Sequence, residues 1–401
     1  MRVLIAHNRY RSGTPSGENI VVDREVDLLA SRGHDVETFF RSNDDYADLS
    51  AAQKIRTSAS PVFGSSARKD FQKSLRAFRP DVVHVHNVYP LISPMILDDC
   101  REAGVPVFAT IHNFRLRCIK GTFFRDGQIC TDCEGRRFPT AGIVHGCYGE
   151  SIAASSVMAI ALARHRPRWE GIDGFIAVSD FVADYLVKWG IDRSLVHVIP
   201  NPVEDPGEPS PPGEGFVFAA RLTEDKGLLL VLDAWEASGL DGTIPLYIAG
   251  DGPLRGEAEQ RAARLTSVQV LGPLTGPEVQ ALRRKGAVGL QPSLWFEAHP
   301  SVAESFALGR PVLATNVGAA DSVVNDQVGW RSPPTVASFA DAFRTASDPR
   351  EVVARGAAAR SHYERTYEPA VVASQLESRF SELLTRPGQQ GRSAKNRSGP
   401  R

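Results

Sequence analysis

Short apolar runs alternate with helix-length amphipathic segments along almost the whole chain, and this alternation limits the fold more than any other feature. Short runs rich in Val, Ile and Phe are typical of strands buried on both faces of a parallel sheet. The runs form two series, residues 3–6, 34–40, 81–86, 106–112 and 174–178, then 216–220, 245–249, 268–271, 288–291 and 311–315. Helical patterns separate them, so the sequence predicts α/β units around parallel sheets.

The series is interrupted once, by a segment rich in proline, glycine and acidic residues between Ile199 and Pro212. Such a segment continues neither a helix nor a central strand. We therefore predict a doubly wound, Rossmann-like domain over residues 1–199, a linker over 200–214 and a second Rossmann-like domain over 215–385. Residues 386–401 are basic and offer nothing to bury, so a disordered tail is expected there. Two such domains are expected to face each other across a cleft that binds ligand at the strand ends.

Composition excludes several classes of protein. The chain has 401 residues, of which 42% are hydrophobic and 23% charged, as in ordinary globular proteins. A net charge of −1 argues against a nucleic-acid partner. No apolar run approaches the roughly 20 residues of a membrane span, and no signal-peptide pattern opens the sequence. Five cysteines do not form a disulfide scaffold of this length, so a cytoplasmic location is predicted.

In the second domain, Arg221 follows a predicted strand and Lys226 lies where the next helix begins. Two cations beside the free N–H groups of a helix start suit a diphosphate, although both side chains could equally be solvated surface charges. The following strand ends at Gly250 and Gly252, where the backbone would allow close approach of a ligand. A tight turn without a ligand explains these glycines as well.

The segment from Pro292 to Val312 carries two carboxylates, Glu297 in a loop and Glu304 on a short helix. A carboxylate accepts paired hydrogen bonds from vicinal hydroxyls such as those of a ribose or hexose. The N–H groups near Ser301 and Val302 suit an anionic or hydroxyl-rich group. Alternatively, Glu304 is simply a solvated helix residue.

Taken together, these motifs resemble family 4 retaining glycosyltransferases with the GT-B fold, over nearly the whole chain. The resemblance rests on the Ile-Pro-Asn-Pro turn at 199–202, the Arg221 to Gly227 element, the glycine turn at 250–252 and the two-glutamate segment. It implies that Arg221 and Lys226 bind the donor diphosphate and stabilise the charge on the leaving nucleotide.

The resemblance also implies roles for the remaining motif residues. Glu304 would hold the ribose hydroxyls and Glu297 would contact the donor sugar near its anomeric carbon, although six residues separate them here where the family usually has seven. His112, at the end of a first-domain strand, matches the family's histidine beside the donor sugar; a structural histidine is the alternative. On the acceptor side, with weaker support, lie Gly17, His86 and Asn87. For Gly17, an exposed turn and helix cap competes with a loop that closes on substrate.

An insert over residues 114–150 contains four cysteines, and their spacing includes one C-x2-C pair. The four are Cys118, Cys130, Cys133 and Cys147. Four thiolates at this spacing suit a closed, structural zinc site. Reduced unliganded thiols, a Cys130–Cys133 redox pair and an iron–sulfur cluster are the alternatives. Next comes an apolar helix, 151–163, followed by a basic segment with Trp169; peripheral membrane contact is one interpretation and core packing the other.

The resemblance thus implies transfer of a hexose, with retention, from a UDP- or GDP-linked sugar to a sugar or polyprenyl-linked acceptor in cell-surface polysaccharide synthesis. It also implies catalysis without a metal or other cofactor, and the lack of an Asp-x-Asp motif at the predicted strand ends agrees with this. Two alternatives stay open. A nucleotide-sugar 2-epimerase shares the fold, and a non-catalytic scaffold would use the zinc insert as a partner surface.

Overall fold

The computed structural model describes residues 1–13, 16–47, 49–207, 210–295 and 300–385. The expected disordered tail, 386–401, lies outside these residues, as do positions 208 and 209 of the expected linker. The chain divides into two compact units. Of the described residues, the first unit comprises those in 1–122, 131–202 and 372–385, and the second comprises those in 123–130 and 203–371.

A six-stranded parallel sheet forms the centre of the first unit, with the order β2-β1-β3-β4-β7-β8. The strands are β1 (Arg2–Arg9), β2 (Asp35–Ser42), β3 (Val82–Val85), β4 (Val107–Ile111), β7 (Gly174–Ala177) and β8 (Val196–Val198). The helices are α1 (Gly17–Ser31), α2 (Asn43–Ala47), α3 (Ala51–Ser58), α4 (Ser60–Phe63), α5 (Ser65–Phe78), α6 (Ile96–Ala103), α7 (Thr140–Val144), α8 (Ile152–Glu170) and α9 (Asp180–Lys188). The order reverses between β1 and β3, and ligands of open α/β sheets bind at such a reversal.

The second unit contains another six-stranded parallel sheet, with the order β11-β10-β9-β12-β13-β14. Its strands are β9 (Phe216–Ala219), β10 (Leu246–Ala249), β11 (Val268–Gly272), β12 (Val288–Gln291), β13 (Val312–Thr315) and β14 (Gly329–Ser332). Its helices are α10 (Leu228–Ser238), α11 (Arg255–Ala262), α12 (Gly276–Lys285), α13 (Pro300–Ala307), α14 (Ala319–Val323), α15 (Val336–Ala346) and α16 (Pro349–Thr366). Here the order reverses between β9 and β12.

Most of the apolar runs are buried strands, as predicted, but β2 and β11, at the edges of the two sheets, are mostly half-buried or exposed. In the second unit, Phe216 on β9 packs edge-to-face on Trp235 and Phe343, and all three side chains are almost fully buried. Burial of large aromatic side chains is among the largest favourable contributions to the stability of a domain. Each sheet is therefore a rigid support for the loops at its strand ends.

Two segments differ from the expected domain boundaries. The last helix, α17 (Pro369–Thr385), was expected in the second domain, but Val372, Leu376 and Phe380 pack in the core of the first unit with Val3 and Ile5. A chain that returns to its first domain leaves no sequence signal, because an apolar helix face fits either core. The hairpin β5 (Phe124–Arg125) and β6 (Gln128–Ile129) belongs to the second unit, although it lies in the predicted first-domain insert. Among the described residues, no helix is long and apolar enough to cross a membrane.

Candidate functional site

Three loops at the carboxyl ends of β9, β10 and β12 pack directly on one another in the second unit. The amide of Leu222 donates to the carbonyl of Asp251 at 2.9 Å, and the amide of Leu294 donates to the carbonyl of Asp225 at 2.9 Å. These bonds join the Arg221 loop to the glycine turn on one side and to the β12 loop on the other. The three predicted donor-site motifs are thus a single structure at the strand-order reversal.

Glycine is needed where these loops meet. Gly227 and Gly250 have φ angles of +75° and +141°, and a Cβ on either would overlap a carbonyl oxygen, of Pro292 or Ala220 respectively. A Cβ on Gly252, at φ +154°, would lie 2.5 Å from the carbonyl oxygen of Leu222, which is also too close. Loop packing therefore explains the glycines of the 250–252 turn, as the tight-turn alternative expected.

The two predicted diphosphate ligands differ in exposure. The Arg221 side chain is 60% exposed and lies 3.8 Å from the Asp225 carboxylate, a contact that water weakens strongly. Lys226 is only 8% exposed, and its Nζ lies 5.7 Å from the ring centroid of Trp295. Lys226 lies in the short turn before α10 and presents a largely buried positive charge, while Arg221 is accessible to an incoming anion.

Glu304 lies on α13, where its Oε2 accepts a hydrogen bond from Arg283 Nη1 at 2.5 Å. Its side chain is 29% exposed, whereas that of Arg283 is 8% exposed. The carboxylate is therefore paired with a buried guanidinium, while part of the Glu304 side chain still reaches solvent. Glu297 lies outside the described residues. Ser301 donates from its hydroxyl to Gln291 Oε1 at 2.7 Å, and the Val302 side chain is buried, so Val302 offers only its backbone to a ligand.

In the first unit, four histidine and glutamate side chains form a connected cluster beneath the end of β4. His86 Nδ1 lies 2.9 Å from His112 Nε2. Glu25 Oε1 lies 2.5 Å from His84 Nδ1 and 3.5 Å from His86 Nε2. Glu25, His84 and His86 are buried, and His112 is the partly exposed end of the cluster.

Burial sets the protonation of this cluster. Burial lowers the pKa of His112 well below its usual value, and the neighbouring His86 lowers it further. Burial also lowers the pKa of His86. Burial alone would raise the pKa of Glu25, but His84 and His86 outweigh it and hold that pKa well below its usual range. Within this cluster the environment favours the ionised form of Glu25 and disfavours the charged forms of His86 and His112.

The acceptor-side residues predicted from the sequence already have partners within the fold. The Asn87 side-chain amide donates to the carbonyl of Asn8 at 3.2 Å, and its Oδ1 accepts from the amide of Tyr89 at 3.0 Å. Gly17 is the exposed first residue of α1, which Ser16 caps through the amide of Asn19. This is the helix-cap geometry that the sequence left open as an alternative.

Glu18 borders a small cavity that His86, Asn87 and His112 also line. Its Oε2 accepts from Asn113 at 3.2 Å, and burial raises its pKa to about 7 although Arg115 acts in the opposite direction. A carboxyl group that titrates near neutrality beside the predicted sugar-contacting histidine is suited to binding a hydroxyl in either protonation state.

A larger cavity of about 480 Å³ lies elsewhere in the first unit, and most of its lining is apolar. Tyr46, Pro61, Leu91, Val157 and Met158 are among its lining residues. On α8, Met158 and Trp169 are buried, as core packing predicts, whereas Ile152 and Ile160 are exposed. The volume suits a small organic molecule or one end of a larger ligand.

The four insert cysteines are all described and are not joined by disulfides. Glu25, His84 and His86 place three potential metal-ligand atoms within 4.8 Å of one another. Within the described ranges, no other group of three or more His, Cys, Asp or Glu residues does so. The zinc site of the cysteines therefore stays a prediction. At the tip of the hairpin, Gly127 lies beside Glu224 in the Arg221 loop of the same unit.

Sequence reasoning missed three charged residues that hold the site, Glu18, Glu25 and Arg283. Glu25 lies on the buried face of α1 with Val21, Val22 and Leu29. A charged residue on an apolar helix stripe was a readable signal, because such a residue needs a buried partner. Arg283 lies beside Leu282 on the buried face of α12, and the same signal applies to it.

The comparisons with known proteins agree with this architecture. Residues 15–205 match the model of Glycosyltransferase Family 4, and residues 213–348 match that of Glycosyl transferases group 1. Two parallel α/β units with these matches define a glycosyltransferase of the GT-B fold. The chain belongs to the family 4 glycosyltransferases. A search of curated proteins gave no match.

Solved structures with the same fold include other glycosyltransferases and a sugar-phosphate synthase. A glycosyltransferase from Rickettsia africae aligns with a TM-score of 0.66 and 14% identity, over 96% of this chain and 99% of its own. The sucrose-phosphate synthase of Thermosynechococcus elongatus aligns with a TM-score of 0.67 and 15% identity, over 96% of this chain and 99% of its own. HepE of Anabaena, in complex with UDP, aligns with a TM-score of 0.63 and 15% identity, over 95% of this chain and 100% of its own. At these identities the likeness concerns the fold.

Proposed function

We propose that this glycosyltransferase moves a hexose, with retention, from a nucleotide diphosphate sugar to a sugar or lipid-linked sugar acceptor, in the cytoplasm and for cell-surface polysaccharide. The observation that carries the proposal is the packed loop group of the second unit, in which Arg221 and Lys226 lie at the strand-order reversal. The HepE structure in complex with UDP-glucose, 16% identical, supports uracil as the base of the donor nucleotide.

The chemistry follows from where charge develops in such a transfer. Cleavage of the glycosidic bond leaves negative charge on the nucleotide diphosphate, and fixed cations stabilise that charge most in a partly desolvated site. Lys226 supplies a buried positive charge and Arg221 an accessible one. Glu304, held by Arg283, is proposed to accept from the ribose hydroxyls, and His112 to contact the transferred sugar. No step of this scheme needs a metal ion.

The test of the donor site is a thermal-shift panel with UDP, GDP, ADP and TDP. We expect UDP, at about 100 times its dissociation constant, to add roughly 2.7 kcal/mol of stability and so raise Tm by a few degrees. Lys226→Met should weaken UDP binding about ten- to a hundredfold, since a hydrogen bond to a charged group contributes about 1.5–3 kcal/mol. Glu304→Gln, which keeps an acceptor for Arg283, should weaken it about tenfold.

Lys285→Met is the matched control, because the Lys285 ammonium lies 4.4 Å from the ring centroid of Tyr247 and is exposed. It should bind UDP like the wild type. Absence of any shift with the four nucleotides, in a folded wild-type protein, would contradict the donor site and favour the scaffold alternative. Conversion of a UDP-sugar to its 2-epimer without acceptor would identify the epimerase instead.

Peripheral membrane contact is a separate part of the proposal and concerns α8. Exposed Ile152 and Ile160 support it, whereas Arg168 pairs with Asp98 at 2.7 Å and is unavailable to lipid. Co-sedimentation with vesicles of anionic phospholipid tests it. Binding that is lost in Ile152→Ser/Ile160→Ser supports the contact, and a wild-type protein that stays in the supernatant contradicts it.

A further inference from the structure

The His86–His112 hydrogen bond leaves one question of chemistry open: which ring nitrogen of His112 carries the proton. A neutral imidazole has one N–H donor and one bare nitrogen acceptor. The answer decides whether His112 offers a donor or an acceptor to its ligand. The surroundings of His86 determine it, because His86 Nδ1 is the partner of His112 Nε2 at 2.9 Å.

Glu25 is the group that acts on His86 from the other side. Its Oε1 lies 3.5 Å from His86 Nε2, and among the described residues neither of these two buried atoms has a hydrogen-bond partner, so the carboxylate acts on this nitrogen through its charge. If His86 Nε2 were unprotonated, its lone pair would face the negative charge of the carboxylate in a site of low dielectric constant, and the two would repel each other. The proton of His86 is therefore on Nε2, and its Nδ1 is bare.

The remaining proton position follows. Because His86 Nδ1 is an acceptor, the hydrogen bond between the two rings takes its proton from His112 Nε2. His112 Nδ1 is then bare. We propose that Glu25 is a positioning residue that fixes this arrangement, so that His112 presents an acceptor and takes a sugar hydroxyl rather than an anionic oxygen. This inference rests on the proposed function, since it concerns the proposed sugar-contacting histidine.

A metal ion held by Glu25, His84 and His86 is the competing interpretation of the same cluster. Two ligands at about 2.0–2.1 Å from a tetrahedral Zn²⁺ lie about 3.3 Å apart. Glu25 Oε1 and His84 Nδ1 are separated by only 2.5 Å, which is too short for two ligands of one tetrahedral ion. The second nitrogen of His84 lies 2.7 Å from Thr110 Oγ1, with which it forms a hydrogen bond.

The two interpretations give His112 opposite proton positions. A metal on His86 Nε2 would put the His86 proton on Nδ1, which would donate to His112 and leave the His112 proton on its own Nδ1. Ring ¹⁵N spectra of histidine-labelled protein separate the cases, with His112→Gln and His86→Gln used for assignment. We expect His112 to be protonated on Nε2 alone. Protonation on Nδ1, or one equivalent of metal whose removal changes the spectrum, would overturn the proposal.

Variants of Glu25 supply the functional readout. Glu25→Gln should fold, should mix the two His112 proton positions in the ring spectrum, and should lower kcat for UDP-glucose hydrolysis about tenfold with little change in KM. Asp27→Asn, on an exposed position of the same helix, is the control and should change neither. A Glu25→Gln spectrum identical to the wild type contradicts the role of Glu25. The wild-type spectrum tests the proton positions even if UDP-glucose is not a substrate, so the two failures are distinguishable.

Discussion

Arg283 holds Glu304 by a hydrogen bond of 2.5 Å between Nη1 and Oε2, and the guanidinium is the more deeply buried partner. The carboxylate of a buried ion pair is fixed before any ligand arrives, which lowers the ordering cost of binding. The asymmetry in burial has a further consequence. Substitution of Glu304 leaves a buried charge unpaired, whereas substitution of Arg283 leaves a more exposed one. The two substitutions should therefore lower the free energy of unfolding by different amounts.

We expect Glu304→Met to cost more stability than Arg283→Met. Removing Glu304 leaves a buried guanidinium without its carboxylate, for which about 3–5 kcal/mol is typical. Removing Arg283 leaves a carboxylate that reaches water, which should cost about 1 kcal/mol. The double variant should be more stable than Glu304→Met alone, because it contains no buried charge at this position. Urea unfolding of the four proteins measures the cycle, and a Glu304→Met protein as stable as the wild type would refute it.

Glu18 should make the stability of the first unit depend on pH. Burial raises its pKa from 4.5 to about 7, and His7, Tyr10, Asn113 and Arg115 face it. The pKa of Glu18 is higher in the folded than in the unfolded protein. The contribution of its protonated carboxyl to folding stability is therefore fully present below about pH 4.5 and is lost as pH rises through 7. At pH 8 the loss is roughly 2–4 kcal/mol, at about 1.4 kcal/mol for each pKa unit.

Glu18→Gln mimics the protonated carboxyl and should therefore raise Tm at pH 8 by a few degrees relative to the wild type. At pH 4.5 the two proteins should unfold at the same temperature. Asp27→Asn removes an exposed carboxylate from the same helix and should give no such pH-dependent difference. A constant difference between Glu18→Gln and the wild type across this pH range would show that Glu18 does not titrate as burial requires.

Local patterns predicted the strands, the strand ends and the residues that follow them, because a parallel sheet places every such position at one edge. Lys226 and Glu304 were readable for this reason. Contacts between residues far apart in the sequence could not be predicted in this way. Glu25 and His84 are 59 residues apart, and no local pattern in either segment indicates that the two side chains will be in contact. The packing of α17 on the first unit could not be predicted for the same reason. Its apolar stripe indicates that the helix is buried but does not indicate which of the two cores it packs against.

The insert cysteines provide a prediction about metal. If Cys118, Cys130, Cys133 and Cys147 form a structural site, purified protein should contain one equivalent of zinc that Cys130→Ser/Cys133→Ser loses, with a lower Tm. Burial raises the pKa of the Cys100 thiol, so Cys100 should stay unreactive toward thiol reagents in the native protein. Metal-free protein in which the four insert thiols react would contradict the zinc site. Zinc retained by the double variant would place the metal elsewhere.

The glycine turn gives the most direct test of how the donor loops are built. Gly250→Ala puts a Cβ against the carbonyl oxygen of Ala220 at a φ of +141°, so either the turn or the Arg221 segment has to move. We expect a Tm several degrees lower and weaker UDP binding even at temperatures where the variant is folded. Gly256→Ala is the control, because a Cβ on this helical glycine has no heavy atom within 4 Å. Gly256→Ala should match or slightly exceed the wild-type Tm, since alanine favours a helix by up to about 1 kcal/mol. A Gly250→Ala protein with wild-type Tm and UDP affinity would mean that close contact between these two loops is not what positions Arg221.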